Sequence, residues 1–404
     1  MSNYKSIFIT LTPTNWSLGV NMSIDWTKMR RTLQAYRNRE LVKTYVEKIH
    51  QMKRKIEAEV TSEPLKIMNF CGTHEFTVTY YGLRSLMPDG VELVAGPGCP
   101  VCVTPAREID EAIEISYLAA VITYGDMYKV PGTKISLAEA KAAGGKVHVV
   151  YGFRDAVELA SSQPDKDFVF FAVGFETTAP SVASYIVENK IPKNLYLLAS
   201  YRITVPIMRY ILESKMHKLH GIIAPGHVST IVGASSWRFV PEEFNVPLVV
   251  AGFEPLDVII AIYEIMQQIY ERKPRLVNEY SRVVTWHGNL KAKSYISKAF
   301  DAVDGSWRGI GIVPQSVWRL NKEYSEIDAR KKYGVNIEHA VDIKPGCKCA
   351  EVTLGLAKPT DCKYFGKACT PEHPIGPCMV SSEGACSIWF KYGGYESIKA
   401  RSYS

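Results

Sequence analysis

The sequence predicts an α/β protein, with two related parallel-sheet α/β domains followed by a C-terminal cysteine-rich domain. Three observations carry this expectation. Between Leu65 and Ala251, eight short apolar runs alternate with helical patterns, as in parallel sheets covered by helices. Several of those runs end in a glycine-bearing loop just before a helix. Beyond Asp342 the periodicity fades and Gly, Pro and Cys take over, which marks a segment organised by a bound metal rather than by an apolar core.

Taken in order, residues 1–29 read as a poorly ordered N-terminal extension. The apolar stretch Ile7–Thr12 is preceded only by Lys5 and interrupted by Pro13 and Asn15, and no small-residue cleavage pattern follows, so it is not a secretory signal. Residues 30–60 form a long basic helix. Its apolar stripe, Leu33, Tyr36, Leu41, Tyr45, Ile49, Met52 and Ile56, recurs every three to four residues and packs on the body, with the C-terminal domain as a candidate surface. The first α/β domain spans 61–160, with strands at Lys66–Phe70, Glu92–Ala95, Ala120–Thr123 and Lys146–Val150. The second spans 161–270, with strands at Phe168–Val173, Leu195–Ala199, Gly221–Ala224 and Leu248–Ala251.

A faint internal echo supports two related halves. Ala172-Val-Gly-Phe-Glu176 resembles Val250-Ala-Gly-Phe-Glu254, and Ala95-Gly-Pro-Gly98 resembles Ala224-Pro-Gly226. Charges and Pro274 within Glu271–Asn278 mark a boundary, and 271–404 form the C-terminal domain. Ligands of open α/β sheets bind at the carboxyl ends of strands, so the functional surface is expected there.

Composition narrows the function. With 404 residues, 47% hydrophobic and 22% charged, the chain has ordinary globular values, which speaks against disorder and membrane classes. The net charge of +7 is spread along the sequence, which gives nucleic-acid binding no support. No run approaches the ~18 apolar residues of a spanning helix. A cytoplasmic protein is expected, and there nine cysteines point to metal or redox chemistry rather than a disulfide framework.

Six of the nine, Cys347, Cys349, Cys362, Cys369, Cys378 and Cys386, fall within forty residues. Neither the paired C-x₂-C knuckles of zinc ribbons nor a compact ferredoxin run occurs among them. Four thiolates suit zinc or an iron–sulfur cluster, with the cluster favoured. Gly96-Pro-Gly-Cys99-Pro-Val-Cys102 has the spacing of a dithiol that closes a disulfide. Thr104-Pro-Ala-Arg and a helix to about Leu118 follow it, and a Cys99 lying at a helix N-terminus would have its thiolate stabilised there; half a zinc site is the plainer alternative. Cys71-Gly-Thr-His74-Glu75 follows a strand. Cys71 and His74 could reach one ion, or His74 bonds a carbonyl while Cys71 is simply buried. Glu176, with two hydroxyl residues after it, reads first as a helix cap, and His227 in Pro225-Gly-His-Val-Ser229 as a turn residue. A shared cleft is the alternative for both.

Taken together and in this order, Cys71-Gly-Thr-His-Glu75, Gly96-Pro-Gly-Cys-Pro-Val-Cys102, Gly174-Phe-Glu-Thr-Thr-Ala-Pro180 and Pro225-Gly-His-Val-Ser229 resemble the signature blocks of the HypD family of hydrogenase maturation factors. The C-x₁₄-C-x₆-C-x₁₆-C run from Cys347 through Cys362 and Cys369 to Cys386 resembles that family's cluster motif. The resemblance extends from about Arg30 to the C-terminus. Residues 1–29 depart from it, with Met22 or Met29 as alternative starts.

The resemblance implies assembly of the Fe(CN)2CO unit of [NiFe]-hydrogenases together with a HypC-type chaperone and a HypE-type cyanide donor. Cys71 would anchor the iron, His74 and Glu75 would support it, and Cys99 and Cys102 would form the nearby dithiol, with Glu176 and His227 in the same region. Cys347, Cys362, Cys369 and Cys386 would hold a [4Fe-4S] cluster in the C-terminal domain, leaving Cys349 and Cys378 as a second exchange pair. Two other classes stay open: a cluster-dependent thiol–disulfide oxidoreductase acting on a protein, and a zinc-stabilised interaction protein.

Overall fold

In the computed structural model, which describes residues 36–216 and 218–393, all eight expected strands form. They are β1 (Leu65–Asn69), β2 (Val91–Ala95), β3 (Ala120–Tyr124), β4 (Val147–Val150), β5 (Phe168–Gly174), β6 (Leu195–Arg202), β7 (Gly221–Pro225) and β8 (Leu248–Ala251). Three more follow: β9 (Leu276–Asn278), β10 (Phe300–Trp307) and β11 (Gly311–Leu320). One sheet has the order β2-β1-β7-β8-β9 and is parallel throughout. The other has the order β10-β11-β6-β5-β3-β4, parallel from β6 to β4 and antiparallel across β10, β11 and β6. The fold is thus two mostly parallel α/β sheets with a cysteine-rich C-terminal region.

β5 shows why the pattern was legible. All seven of its residues are buried, as befits a strand covered on both faces. Phe168, Phe170 and Ala172 enter one core while Val169, Phe171 and Val173 enter another, and each large side chain removed from water contributes roughly 1.5–3 kcal/mol.

The sheets do not follow the sequential blocks 61–160 and 161–270. β1 and β2 open the first sheet, β3 to β6 build the second, and the chain returns to the first at β7. Strands buried on both faces read alike whichever sheet receives them, so their allocation leaves no local trace. The first echo pairs β5 and β8 across the two sheets, whereas the second lies within one sheet, on β2 and β7. Residues after the Pro274 boundary also rejoin the body. β9 edges the first sheet, and the β10–β11 hairpin edges the second. Gly305, Pro314, a positive φ at Gln315 and a register shift between Val303 and Gly305 break the period of two, which hid this hairpin from the sequence pattern.

The basic helix begins at Arg39, where the Asn38 side chain accepts the N–H groups of Glu40 and Leu41, and it runs to Glu59. Ile49, Met52 and Ile56 pack on the helix Pro255–Glu271 over the first sheet, not on the C-terminal region. Leu41 is exposed, and Tyr36, off the helix, stacks under the Arg282 guanidinium at 3.9 Å. Residues 1–29 and Leu33 lie outside the described residues.

The C-terminal region is built of short helices, Cys349–Thr353, Pro377–Val380 and Ala385–Tyr392, joined by turns. It touches both sheets. Trp389 docks on the helix Gly72–Tyr80, and Ser381 and Ser382 bond Asp126, which follows β3. Among the described residues no helix is long and apolar enough to cross a membrane.

Candidate functional site

A cleft of about 520 Å³ opens at the carboxyl ends of β1, β3, β4, β5 and β7, the edge where the strand pattern placed the functional surface. Cys71, Tyr124, Thr177, Thr178, His227 and Glu383 are among its lining residues. Strand register brings the first two cysteine motifs together. β1 pairs with β2 with Asn69 opposite Ala95, so the chain just past each strand end carries Cys71 and Cys99 into one place. The approach is backbone on backbone. The Gly72 N–H donates to the Gly98 carbonyl at 3.3 Å, and a Cβ on Gly98 would stand 2.4 Å from the Cys71 Cα.

Cys99 and Cys102 form a disulfide with a Cα separation of 5.3 Å. Cys99 caps the short helix Pro100–Val103, and the Cys102 N–H donates to its sulfur at 3.2 Å. The expected helix to Leu118 forms from Ala106, and a separate short helix precedes it. Pro105 holds Thr104 extended, and the second helix starts at Ala106. Next to the cleft, Cys71, Cys99, Cys102, Cys378 and Glu383 line a second, smaller space of about 20 Å³, room for one water-sized group. Burial, with the charge of Glu383 added, pushes the Cys71 thiol up to about 11. Glu383 is itself raised to about 7 by burial and by Asp126.

The neighbouring motif residues turn away from Cys71. His74 is fully buried. Its Nε2 lies 2.8 Å from the Gly252 carbonyl, its ring stacks on Phe253 at 4.7 Å, and burial pushes it down to about 4. This is the carbonyl-bonded arrangement rather than a Cys–His pair converging on one ion. His227 stacks on the other side of Phe253 at 3.9 Å and borders the cleft. Glu75 accepts from both sides of a buried network: Arg84 at 2.7 Å to each carboxylate oxygen, Asn69 at 3.0 Å and the Trp389 indole at 2.6 Å. Burial alone would raise its carboxyl, but Arg84 and these donors hold it below the usual range. Glu176 leaves the cleft wall to cap a different helix from the one that follows it. It accepts the Thr204 N–H at 2.7 Å and the Thr204 hydroxyl at 2.9 Å, and burial pushes it up to about 7.

The six C-terminal cysteines are all buried and share one core with Cys99 and Cys102. Cys349 lies beside Cys347, Cys378 and Cys386, and Cys347 beside Cys362, all with free thiols. Hydrogen bonds from Cys349 and Cys386 hold the Cys378 thiol well below its ordinary value. Backbone N–H groups of Ile375 and Cys386 point at the sulfurs of Cys369 and Cys378, at 3.3 and 3.2 Å. Gly376 leaves the space a side chain would fill, since a Cβ there would be 2.5 Å from the Cys349 sulfur. Among the described residues, no three His, Cys, Asp or Glu side chains are grouped to hold one metal ion.

Sequence reasoning missed Glu383, Asp126 and Asn69. Asp126 accepts from the Ser381 and Ser382 hydroxyls and the Ser382 N–H, fixing the loop that carries Glu383 beside Cys71. Its signal was available, because Tyr124-Gly-Asp126 is another glycine-bearing loop after a strand. Glu383 had none, since its position depends on how the C-terminal region folds back.

Comparison with known proteins gives the family. The HypD family model, described as the hydrogenase formation hypA family, matches residues 40–393. The chain is 42% identical to the hydrogenase maturation factor HypD2 of Bradyrhizobium diazoefficiens, over 85% of this chain and 93% of the relative. It is 41% identical to a putative hydrogenase expression/formation protein of Methanocaldococcus jannaschii, over 88% and 98%. It is 39% identical to the hydrogenase maturation factor HypD of Escherichia coli, over 91% and 99%. On a match that spans both sheets and the cysteine-rich region, the chain belongs to the HypD family of hydrogenase maturation factors.

Proposed function

We propose that this cytoplasmic protein is the scaffold on which an iron ion acquires its cyanide and carbon monoxide ligands, in complex with a HypC-type chaperone and supplied by a HypE-type cyanide donor. The observation that carries the reading is the place of Cys71. It borders both the open cleft and a smaller space shared with Cys99, Cys102 and Cys378. An iron held on the Cys71 thiolate is reachable from the cleft by partners, while a dithiol stands beside it.

Release of cyanide from a thiocyanate on the donor breaks an S–C bond and takes up two electrons, leaving a thiolate and cyanide. Closing Cys99 and Cys102 from dithiol to disulfide supplies both electrons and two protons. Cys378 lines the same space, so it is placed to reopen that disulfide by thiol exchange, with Cys349 as its resolving partner. Cys347, Cys362, Cys369 and Cys386 are the residues that would hold a [4Fe-4S] cluster, which supplies single electrons when bound. The residues present fit such a group: the thiols are buried, N–H groups point at sulfur, and Gly376 lets the Cys349 and Cys347 sulfurs approach the backbone closely. His74, Glu75 and Glu176 hold the cleft walls rather than touch the iron, and His227 stands at its rim.

Cys71→Ala separates this reading from a thiol–disulfide oxidoreductase acting on a protein. The scaffold reading expects iron retention and hydrogenase maturation to be lost while Cys99–Cys102 exchange with a dithiol reagent continues. Maturation that survives the substitution refutes it. Metal analysis after anaerobic purification provides the second arm: zinc without labile sulfide sinks the cluster assignment.

A further inference from the structure

The tight turn between β10 and β11 places Arg308 in the interior, 3% exposed, where neither the cleft nor the cysteine motif accounts for it. Nε donates to the Asp342 carbonyl at 2.8 Å and Nη2 to the Pro131 carbonyl at 3.0 Å, while the backbone N–H donates to Val103 at 2.9 Å. Val103 directly follows Cys102, and Asp342 opens the segment that leads to Cys347. The next residue, Gly309, lies so close to the helix Cys349–Thr353 that a Cβ on it would be 2.7 Å from the Ala350 Cβ. The hairpin tip is therefore wedged between the Cys99–Cys102 helix and the C-terminal cysteines.

The remaining guanidinium nitrogen, Nη1, is buried and has no hydrogen-bond partner. A cation in that position is costly unless anions face it. Burial acts to lower the Arg308 pKa, and the groups that oppose this are Asp342, Cys349, Asp110 and Cys347. Both carboxylates already serve other donors. Asp342 accepts the N–H groups of Ala106 and Gly309, and Asp110 accepts from Thr133. The other groups whose charge bears on Arg308 are Cys349 and Cys347, whose sulfurs become anionic when they hold a metal group.

We propose that Arg308 is the built-in counter-charge of the C-terminal cysteine site, offsetting the negative charge of the group that Cys347 would hold beside Cys349 and so favouring its one-electron reduction. The inference rests on the cluster reading above. Reduction adds one electron, taken from the donor in the measurement, and no proton, so the site gains one negative charge, which a fixed neighbouring cation stabilises. Arg308 touches no reacting atom and acts as a positioning residue.

The test is an anaerobic redox titration of the full-length, cluster-loaded protein followed by electron paramagnetic resonance, comparing wild type, Arg308→Gln and Arg308→Lys. Iron and labile sulfide are measured first in the wild type. Their absence refutes the cluster reading itself, whereas a normal wild-type cluster leaves Arg308 alone on trial. Arg308→Gln is expected to cut the ratio of reduced to oxidised cluster about tenfold at a fixed potential, ~59 mV for one electron. Arg308→Lys recovers most of that ratio, although it loses the fork to Asp342 and Pro131 and melts at a lower temperature. An unmoved midpoint in Arg308→Gln, or equal shifts in both variants, overturns the proposal. Where Arg308→Gln does not retain the cluster, occupancy in Arg308→Lys decides: near-full occupancy supports the charge role, and loss in both overturns it.

Discussion

Glu75→Gln tests how the cysteine-rich region is attached to the cleft. The carboxylate joins Arg84, Asn69 and Trp389, and Trp389 sits on the helix Ala385–Tyr392 that carries Cys386. Arg84 also lies over the Trp389 ring at 4.9 Å, so one charge orders both contacts. Removing one partner of a buried ion pair costs ~3–5 kcal/mol. Here the Arg84 side chain is 24% exposed and water solvates part of the stranded cation. Because the glutamine oxygen still accepts one bond, about 2 kcal/mol remains, or ~30-fold in a local opening equilibrium at 1.4 kcal/mol per decade. Hydrogen exchange read by mass spectrometry should show that acceleration in Ala385–Tyr392 and none in Thr204–Ser214, which Glu75 does not touch. Unchanged exchange in the first segment, or equal acceleration in both, refutes the reasoning. The pH dependence has a definite sign. The folded carboxyl lies below its unfolded value of about 4.3, so its stabilisation is present above that pH and is lost as pH falls through the lowered folded value. The difference between variant and wild type should therefore shrink in acid.

Three further outcomes follow from the site. Gly98→Ala forces a Cβ to within 2.4 Å of the Cys71 Cα, a backbone contact that cannot yield without moving the Cys99 loop. A loss of ~1–3 kcal/mol is expected, and an unchanged melting temperature contradicts the close approach. Glu383→Gln removes the charge that adds to burial in raising the Cys71 thiol, so iodoacetamide should label Cys71 several-fold faster at pH 8, since each unit of pKa is about tenfold in thiolate. An equal rate shows that Glu383 does not act on Cys71. Glu176 carries a folded carboxyl raised to about 7, so its burial costs stability progressively as pH rises from about 4.3 to that value. Glu176→Gln, neutral throughout, should gain on the wild type between pH 4.5 and 8 in chemical denaturation, and a gain that shrinks over that range contradicts the buried-cap account.

The eight strands were legible because each is a short apolar run and all but β6 lead into a glycine-bearing loop, and β5 needs no tertiary information to be recognised. What stayed hidden depends on distance in sequence. The return of β7 to the sheet begun by β1, the hairpin broken by Gly305 and Pro314, and the docking of the basic helix on Pro255–Glu271 are decided by which surfaces meet. The site shows the same division. Cys71 and Cys99 were readable as motifs after strands, and β1–β2 pairing joins them. The burial of His74 against Gly252 and of Glu75 against Trp389 is set by residues about 180 and 310 positions away. Arg308 carried no signal at all, since a lone arginine in a turn is ordinarily solvated.

The central claim, that Cys71 anchors an iron carrying diatomic ligands, is tested most directly by infrared spectroscopy. The protein is purified anaerobically with the proposed HypC-type partner from cells competent for hydrogenase maturation. The account predicts cyanide and carbon monoxide stretching bands on the wild-type complex and their loss in Cys71→Ala, with the two proteins still co-purifying. Bands that persist without the Cys71 thiolate, or a wild-type complex that carries none, would contradict it.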